Sequence, residues 1–356
     1  MTERAAKWAF TTGQNRSTRS ISRSNRPSAT ETNQAFRPPT ARGQSPVSCF
    51  DVASRYDTFV PRSANPNQAC KKRMLTRQKI LLSFLRAVDR PVGRLELMKW
   101  SFLLRHESKT QGGASFYEFL PYHYGPFSFS LHQEIGKLQD QGFVKKSDDN
   151  HWEIGVVAGL SPDRELENDA TSLAKKHAGK SVDNLLDEIY SKYPQYTVNS
   201  KRLQLAKRVV GAPAVYTSGY EGLSVDGFLN RLIESGIQQL VDVRRNPIAR
   251  RYGFHKSTLR RLCEYLDIAY FHLPELGIPS DKRRSLATQD DYERLFDDYR
   301  QTTLESETVA IESVTDLVQS KPSVLVCMEA KPQCCHRSQL ARVVSNRSHL
   351  QVRHLT

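Results

Sequence analysis

The sequence predicts an α/β chain, with a carboxyl-terminal open, mostly parallel sheet flanked by helices, preceded by a mainly helical unit and a basic leader. Three observations predict it. From residue 213 onward, short apolar runs alternate with amphipathic helical patterns, the signature of strand–helix–strand units. Between 74 and 157 apolar residues recur at helical spacing before two short strand patterns. Residues 1–73 are polar, with little periodicity. The chain is 356 residues long, too long for one ordinary domain. The expected divisions are a leader 1–73, a domain 74–157, a helical connector 158–212 and an α/β domain 213–356.

The leader is expected to be disordered. Asn15 to Ser20 and Arg37 to Thr40 are too polar to offset the entropy of ordering. It carries +9 of the formal net charge of +14, with 13 Lys and Arg against 4 Asp and Glu, which leaves +5 on the other 283 residues. Two readings stand for it. It is a basic arm that touches phosphates, or a translated upstream region, with the chain proper starting at Met74, where helical patterning begins. Whole-chain charge is therefore weak grounds for nucleic-acid binding.

A first helix is expected over 75–88, with Ile80, Leu81, Phe84, Leu85 and Val88 on one face. Pro91-Val92-Gly93 breaks it, and a second helix runs from about Leu95 to His106. An aromatic run, Phe116 to Phe127, precedes a third helix, Phe129 to Gln141. Ser128 or Ser130 starts that helix, the latter with Gln133 as a capping box. Phe143-Val144 and Trp152-Glu153-Ile154 read as strands around the turn 148–150. Three helices and a hairpin make a winged-helix-like domain, whose third helix often enters the major groove of DNA. Lys137 on that helix and Lys145 and Lys146 in the wing are the candidate nucleic-acid contacts. Packing on the next domain, or binding protein, is the other reading. In the connector, a helix over 181–193 and a short one over 203–210 are expected.

The α/β domain begins with a strand at 214–218, ending in Gly219-Tyr220-Glu221-Gly222. A helix over 225–236 and a strand at 239–243 complete a βαβ unit. Further strands are expected at 268–272 and 323–327, and an edge strand at 349–355. Ligands to such sheets bind beyond the carboxyl ends of the strands. Those ends bring polar residues to one rim: Tyr220 and Glu221, then Asp242, Arg244 and Arg245, then His272 and Glu275, then Cys327 and Glu329.

Five segments carry a resemblance. They are Gly219-Tyr220-Glu221-Gly222, Asp242-Val243-Arg244-Arg245-Asn246-Pro247, Gly253-Phe254-His255-Lys256, His272-Leu273-Pro274-Glu275-Leu276-Gly277, and Cys327-Met328-Glu329 with Cys335-His336-Arg337. In this order they resemble the domain-of-unknown-function 488 family, over about 214–356. Ser218 departs from the pattern, where an aliphatic residue would suit the strand better. The resemblance implies a fold and a candidate site and no particular reaction. Members with an upstream helical-winged segment like 75–155 look similar too, less specifically.

The rim offers three chemistries. Arg244, Arg245, Arg250, Arg251, Lys256 and Arg337 are candidate phosphate ligands, since arginine forks bind phosphate bidentately. No acidic residue interrupts 244–262, although a solvated basic helix face reads the same way. Cys335, beside His336 and Arg337 at a helix start, would have a lowered pKa and act as nucleophile. A Cys-x5-Arg phosphatase loop is absent. A zinc site from Cys327, Cys334, Cys335 and His336 is disfavoured by the adjacent cysteines, so no metal is expected. Glu221, Asp242 and Glu329 could include one raised-pKa acid or base, with Gly219, Tyr220, His272 and Glu275 binding ligand. Internal ion pairs imitate such sites, with a buried Cys335, a capping His336 and Arg337 bridged to Asp242 or Glu329.

The six cysteines lack the spacing of a disulfide framework, and no run approaches 18 apolar residues. Neither a membrane span nor a secretory signal is expected, which fits a cytoplasmic protein. The functional expectation is binding of nucleic acid or a nucleotide, with a hydrolytic or transfer activity at the rim, and cofactor, substrate and oligomeric state left open. The alternatives are a non-enzymatic nucleotide-sensing DNA-binding regulator and a protein-interaction module.

Overall fold

The computed structural model of the chain describes residues 74–148, 150–155, 161–283 and 288–356. The leader, with Cys49 and Cys70, lies outside the described residues.

Apolar spacing makes α1 (Thr76–Arg86) and α2 (Arg94–Glu107) pack through Phe84, Trp100 and Phe102. Strand β1 (Val92–Gly93) lies between them. A small hairpin, β2 (Leu120–Tyr122) and β3 (Gly125–Phe127), precedes α3 (Phe129–Asp140). Strands β4 (Val144–Asp148) and β5 (His151–Ile154) then form an antiparallel sheet with β1, in the order β1-β5-β4. The segment expected as a connector begins as part of this unit. Helices α4 (Arg164–His177) and α5 (Val182–Lys192) bury Ala170, Ala174, Leu185, Ile189 and Tyr190 in the same core.

The short helix expected over 203–210 does not form. Its apolar side chains find no partner face, and Leu203, Leu205, Val209 and Val210 are exposed. The backbone bonds elsewhere instead. Leu205 and Ala206 donate their N–H groups to Thr197 Oγ1, and Arg208 donates to the carbonyls of Ile237 and Leu266.

The carboxyl-terminal part is a five-stranded parallel sheet flanked by helices. Its strands are β6 (Val215–Gly219), β7 (Gln239–Asp242), β8 (Ala269–His272), β9 (Ser323–Cys327) and β10 (Val352–Leu355), in the order β10-β6-β9-β7-β8. On one face, α6 (Val225–Glu234) and α7 (Lys256–Tyr265) cover Tyr216, Leu240, Val324 and Val326. On the other, α8 (Gln289–Gln301), α9 (Thr303–Ser306), α10 (Thr308–Ser320) and α11 (Arg337–Ser348) cover Val215, Val241 and Leu325. Strand β9 is apolar on both faces because both are buried. Ser218, where the sequence departs from the family pattern, is fully buried and its hydroxyl bonds the carbonyl of Leu355 on the edge strand. The central place of β9 sets Cys327 level with Gly219 and leaves Val326 level with Asp242.

Candidate functional site at the carboxyl rim

The rim is built around the segment leaving β9. Gly219 allows it. A side chain there would collide with the Glu329 carbonyl, so glycine lets the β6 end and the 329–330 backbone touch. Gly219 was expected to bind ligand; its position is instead fixed by this close approach. The N–H groups of Tyr220 and Glu221 donate to the Met328 carbonyl, and Glu221 Oε2 accepts the Ala330 N–H at 3.0 Å. Arg337, expected to hold phosphate, is 1% exposed. It donates to the carbonyls of Glu329 (2.6 Å) and Ala330 (3.1 Å), so its charge fixes the turn.

Asp242 and Arg244 turn inward as well. Arg244 Nη2 lies 2.6 Å from Asp242 Oδ2, and its Nε 2.8 Å from Oδ1. Nη1 donates to the Tyr220 hydroxyl and the Phe254 carbonyl, both at 2.9 Å. Tyr270 donates its hydroxyl to Asp242 Oδ2 at 2.6 Å. Asp242 is fully buried and Arg244 6% exposed. Burial works against the Arg244 charge, but the bond to Asp242 outweighs it and raises the pKa. Tyr220 stacks on Phe254 with ring centres 4.1 Å apart. Asp242 as acid or base, Arg244 as phosphate ligand and Tyr220 as ligand contact are therefore corrected. They form an internal network whose members bond one another.

His272 is half-buried, its Nε2 bonded to the Arg244 carbonyl at 2.9 Å and its Nδ1 2.7 Å from Lys256 Nζ. Glu275 is half-buried in the turn after β8. Arg245, Arg250, Arg251 and Lys256 are exposed along the β7–α7 connection.

The densest polar cluster follows β9. The sulfurs of Cys327 and Cys335 and a ring nitrogen of His336 all lie within 4.8 Å of one another. Both thiols sit 3.0 Å from Glu329 Oε2. Burial pushes Glu329 up, but the hydrogen bonds from Cys327 and Cys335 outweigh it and hold the carboxylate below its ordinary range. Glu329 is thus no raised-pKa acid. Burial likewise pushes the Cys335 thiol well up, the reverse of the expected activated nucleophile. The 3-10 turn Pro332–Cys334 separates the two adjacent cysteines. Cys335 points into the cluster, and Cys334 lines a neighbouring cleft.

That cleft has a volume of about 240 Å³ and is lined by Ile278, Arg283, Tyr292, Leu295, Phe296, Glu329, Cys334 and His336. The sequence reading missed Arg283, Tyr292 and Phe296. They sit in a polar stretch with no motif: Tyr292 and Phe296 come from α8, and Arg283 from the 3-10 turn Asp281–Arg283, where it pairs with Glu329 at 3.7 Å.

The third helix is buried at its first turn. Asp226 of α6 accepts the backbone N–H groups of Phe129 (2.6 Å) and Ser130 (3.0 Å) and the Ser128 hydroxyl (3.1 Å). Ser128 itself caps the helix through Leu131, so the expected capping box with Gln133 is not the device used. An acidic side chain from the sheet domain thus occupies the turn that would meet a base edge. Lys137, Lys145 and Lys146 are exposed beyond it.

Residues 224–344 match the family model described as Domain of unknown function DUF488. The match takes in the segments at 242–247, 253–256, 272–277 and 327–337 and leaves Gly219–Gly222 outside it. No curated protein and no solved structure matches the chain.

Proposed function

We propose that the protein is a cytoplasmic one that binds nucleic acid or a nucleotide beside the carboxyl rim and carries out a hydrolytic or transfer step there. One observation carries the reading. Arg245, Arg250, Arg251 and Lys256 are exposed on a connection with no acidic residue, next to the strand ends where ligands of open α/β sheets bind. Guanidinium forks left to solvent match phosphate oxygens. The order α1-β1-α2-β2-β3-α3-β4-β5, with its three-stranded sheet β1-β5-β4, supports a winged-helix-like unit whose wing lysines, Lys145 and Lys146, add backbone phosphate contacts. The described cysteines are free thiols, in keeping with a reducing compartment, and no described helix is long and apolar enough to cross a membrane.

The test is fluorescence anisotropy of the full chain with labelled duplex and single-stranded DNA, and with nucleotides, across a salt series. Binding is expected to weaken with salt. Arg250→Ala with Arg251→Ala is expected to flatten the log–log slope by roughly 2, one unit per lost phosphate contact. The reading fails if neither nucleic acid nor nucleotide is bound at low salt.

Asp226 favours a second reading, a non-enzymatic regulator. It joins α6, which follows the rim turn at 220–222, to the start of α3, so rim occupancy has a direct route to the helical unit. Ligand binding without any turnover, together with altered DNA affinity, would select it.

A further inference from the structure

We propose that Cys327, Cys335 and His336 bind a soft divalent cation, zinc by the nature of the donors. This stands apart from the nucleic-acid reading.

The spacing of the atoms carries it. His336 Nδ1 lies 3.7 Å from the Cys327 sulfur and 3.9 Å from the Cys335 sulfur. Ligands about 2.3 Å (sulfur) and 2.0 Å (nitrogen) from a tetrahedral ion stand roughly 3.5 Å apart. The two nitrogen–sulfur spacings therefore need only a few tenths of an ångström of adjustment, and all three donor atoms lie within 4.8 Å of one another. The histidine is also set for the task. Its Nε2 lies 3.2 Å from the Val243 carbonyl. A carbonyl only accepts, so Nε2 carries a proton and it is Nδ1 that faces the two sulfurs. A backbone acceptor behind a histidine ligand is the usual outer support of a metal site.

The elements around the cluster hold it still. Cys327 ends the central strand, and Cys335 and His336 lead into α11. Arg337 pins the carbonyls of Glu329 and Ala330. Cys327 and Cys335 are each 1% exposed and His336 4%, so the donors are kept from solvent while Glu329 and His336 reach the cleft. Two thiolates and an imidazole select zinc or another soft metal over magnesium or calcium. Binding releases the two thiol protons to solvent.

The experiment is titration of the reduced full chain with Co²⁺, then Zn²⁺, followed by absorption. A single equivalent of Co²⁺ should give thiolate charge-transfer bands and tetrahedral visible bands that Zn²⁺ abolishes. Cys327→Ser and Cys335→Ser should lose the charge-transfer intensity, and His336→Gln should weaken binding, while Cys334→Ser and Cys263→Ser keep the spectrum. As a measurement that needs no variant, the thermal midpoint of the unaltered chain should rise with Zn²⁺ and stay constant with Mg²⁺. Absence of thiolate bands, loss of them in Cys334→Ser instead, or a midpoint indifferent to Zn²⁺ would overturn the site. So would a Cys327–Cys335 disulfide found by mass spectrometry under the same reducing conditions.

Discussion

Arg244 is bonded at all three guanidinium nitrogens, to Asp242, Tyr220 and the Phe254 carbonyl. Its charge is thereby consumed inside the protein, and the exposed arginines one, six and seven residues on are the ones left for a ligand. Removing one member of a buried ion pair strands the other. Arg244→Ala should therefore lower stability by about 3–5 kcal/mol in urea unfolding. A ligand-binding arginine would behave differently, with affinity lost and stability nearly unchanged. At this scale the sequence showed which residue types gather at the strand ends. It could not show which of them face solvent. Asp242-Val243-Arg244-Arg245 places two arginines side by side, and only the direction of each side chain off the strand end separates the internal one from the external one.

At the scale of elements, the segment between β9 and α11 decides the site. Gly219 and the Glu329 backbone occupy the same space that a methyl group would need. Gly219→Ala should push residues 329–330 away from β6, loosen the Arg337 bonds and cost about 1–3 kcal/mol. The same variant should weaken Co²⁺ binding, because Glu329 and the turn before Cys335 move together. Urea unfolding and cobalt absorption check both effects, and an unchanged pair of readings would remove Gly219 from the construction of the rim. The strands themselves were legible because buried parallel strands read as short apolar runs, as in Val324-Leu325-Val326. Cys334 closes a 3-10 turn and lines the cleft while Cys335 joins the cluster, so the two neighbouring sulfurs have different surroundings, which their adjacency in sequence does not show.

Across the whole molecule, Asp226 ties the helical unit to the sheet domain. It is fully buried, and burial pushes its pKa from 3.8 up to about 6, against the hydrogen bonds from Ser130, Phe129 and Ser128. Between those values the folded chain holds a proton that the unfolded chain has released. Asp226's contribution is therefore complete below about pH 4 and is lost as pH rises through about 6. Asp226→Asn does not titrate there. The stability of the unaltered chain relative to this variant should fall by about 2 kcal/mol from pH 4 to pH 6.5. Urea unfolding at several pH values measures it, and parallel profiles for the two proteins would refute it. Leu120 and Phe129 belong to the core of α6 and α7 rather than to that of α1 and α2. Local patterning has no means to register that the residues flanking the start of α3 pack against the helices of the sheet.

By itself the sequence determined the first three helices, the five strands of the parallel α/β sheet, and the rim at which polar residues collect. Period and composition report how each segment is buried, and burial is what selects helix or strand. The tertiary structure alone decided the strand order that centres β9, the inward turn of Asp242, Arg244 and Arg337, the cap that Asp226 sets on α3, and the meeting of Cys327, Cys335 and His336. Each of these depends on which face of one segment meets another distant in the chain, and side-chain direction at a strand end or tight turn follows from that packing rather than from residue type.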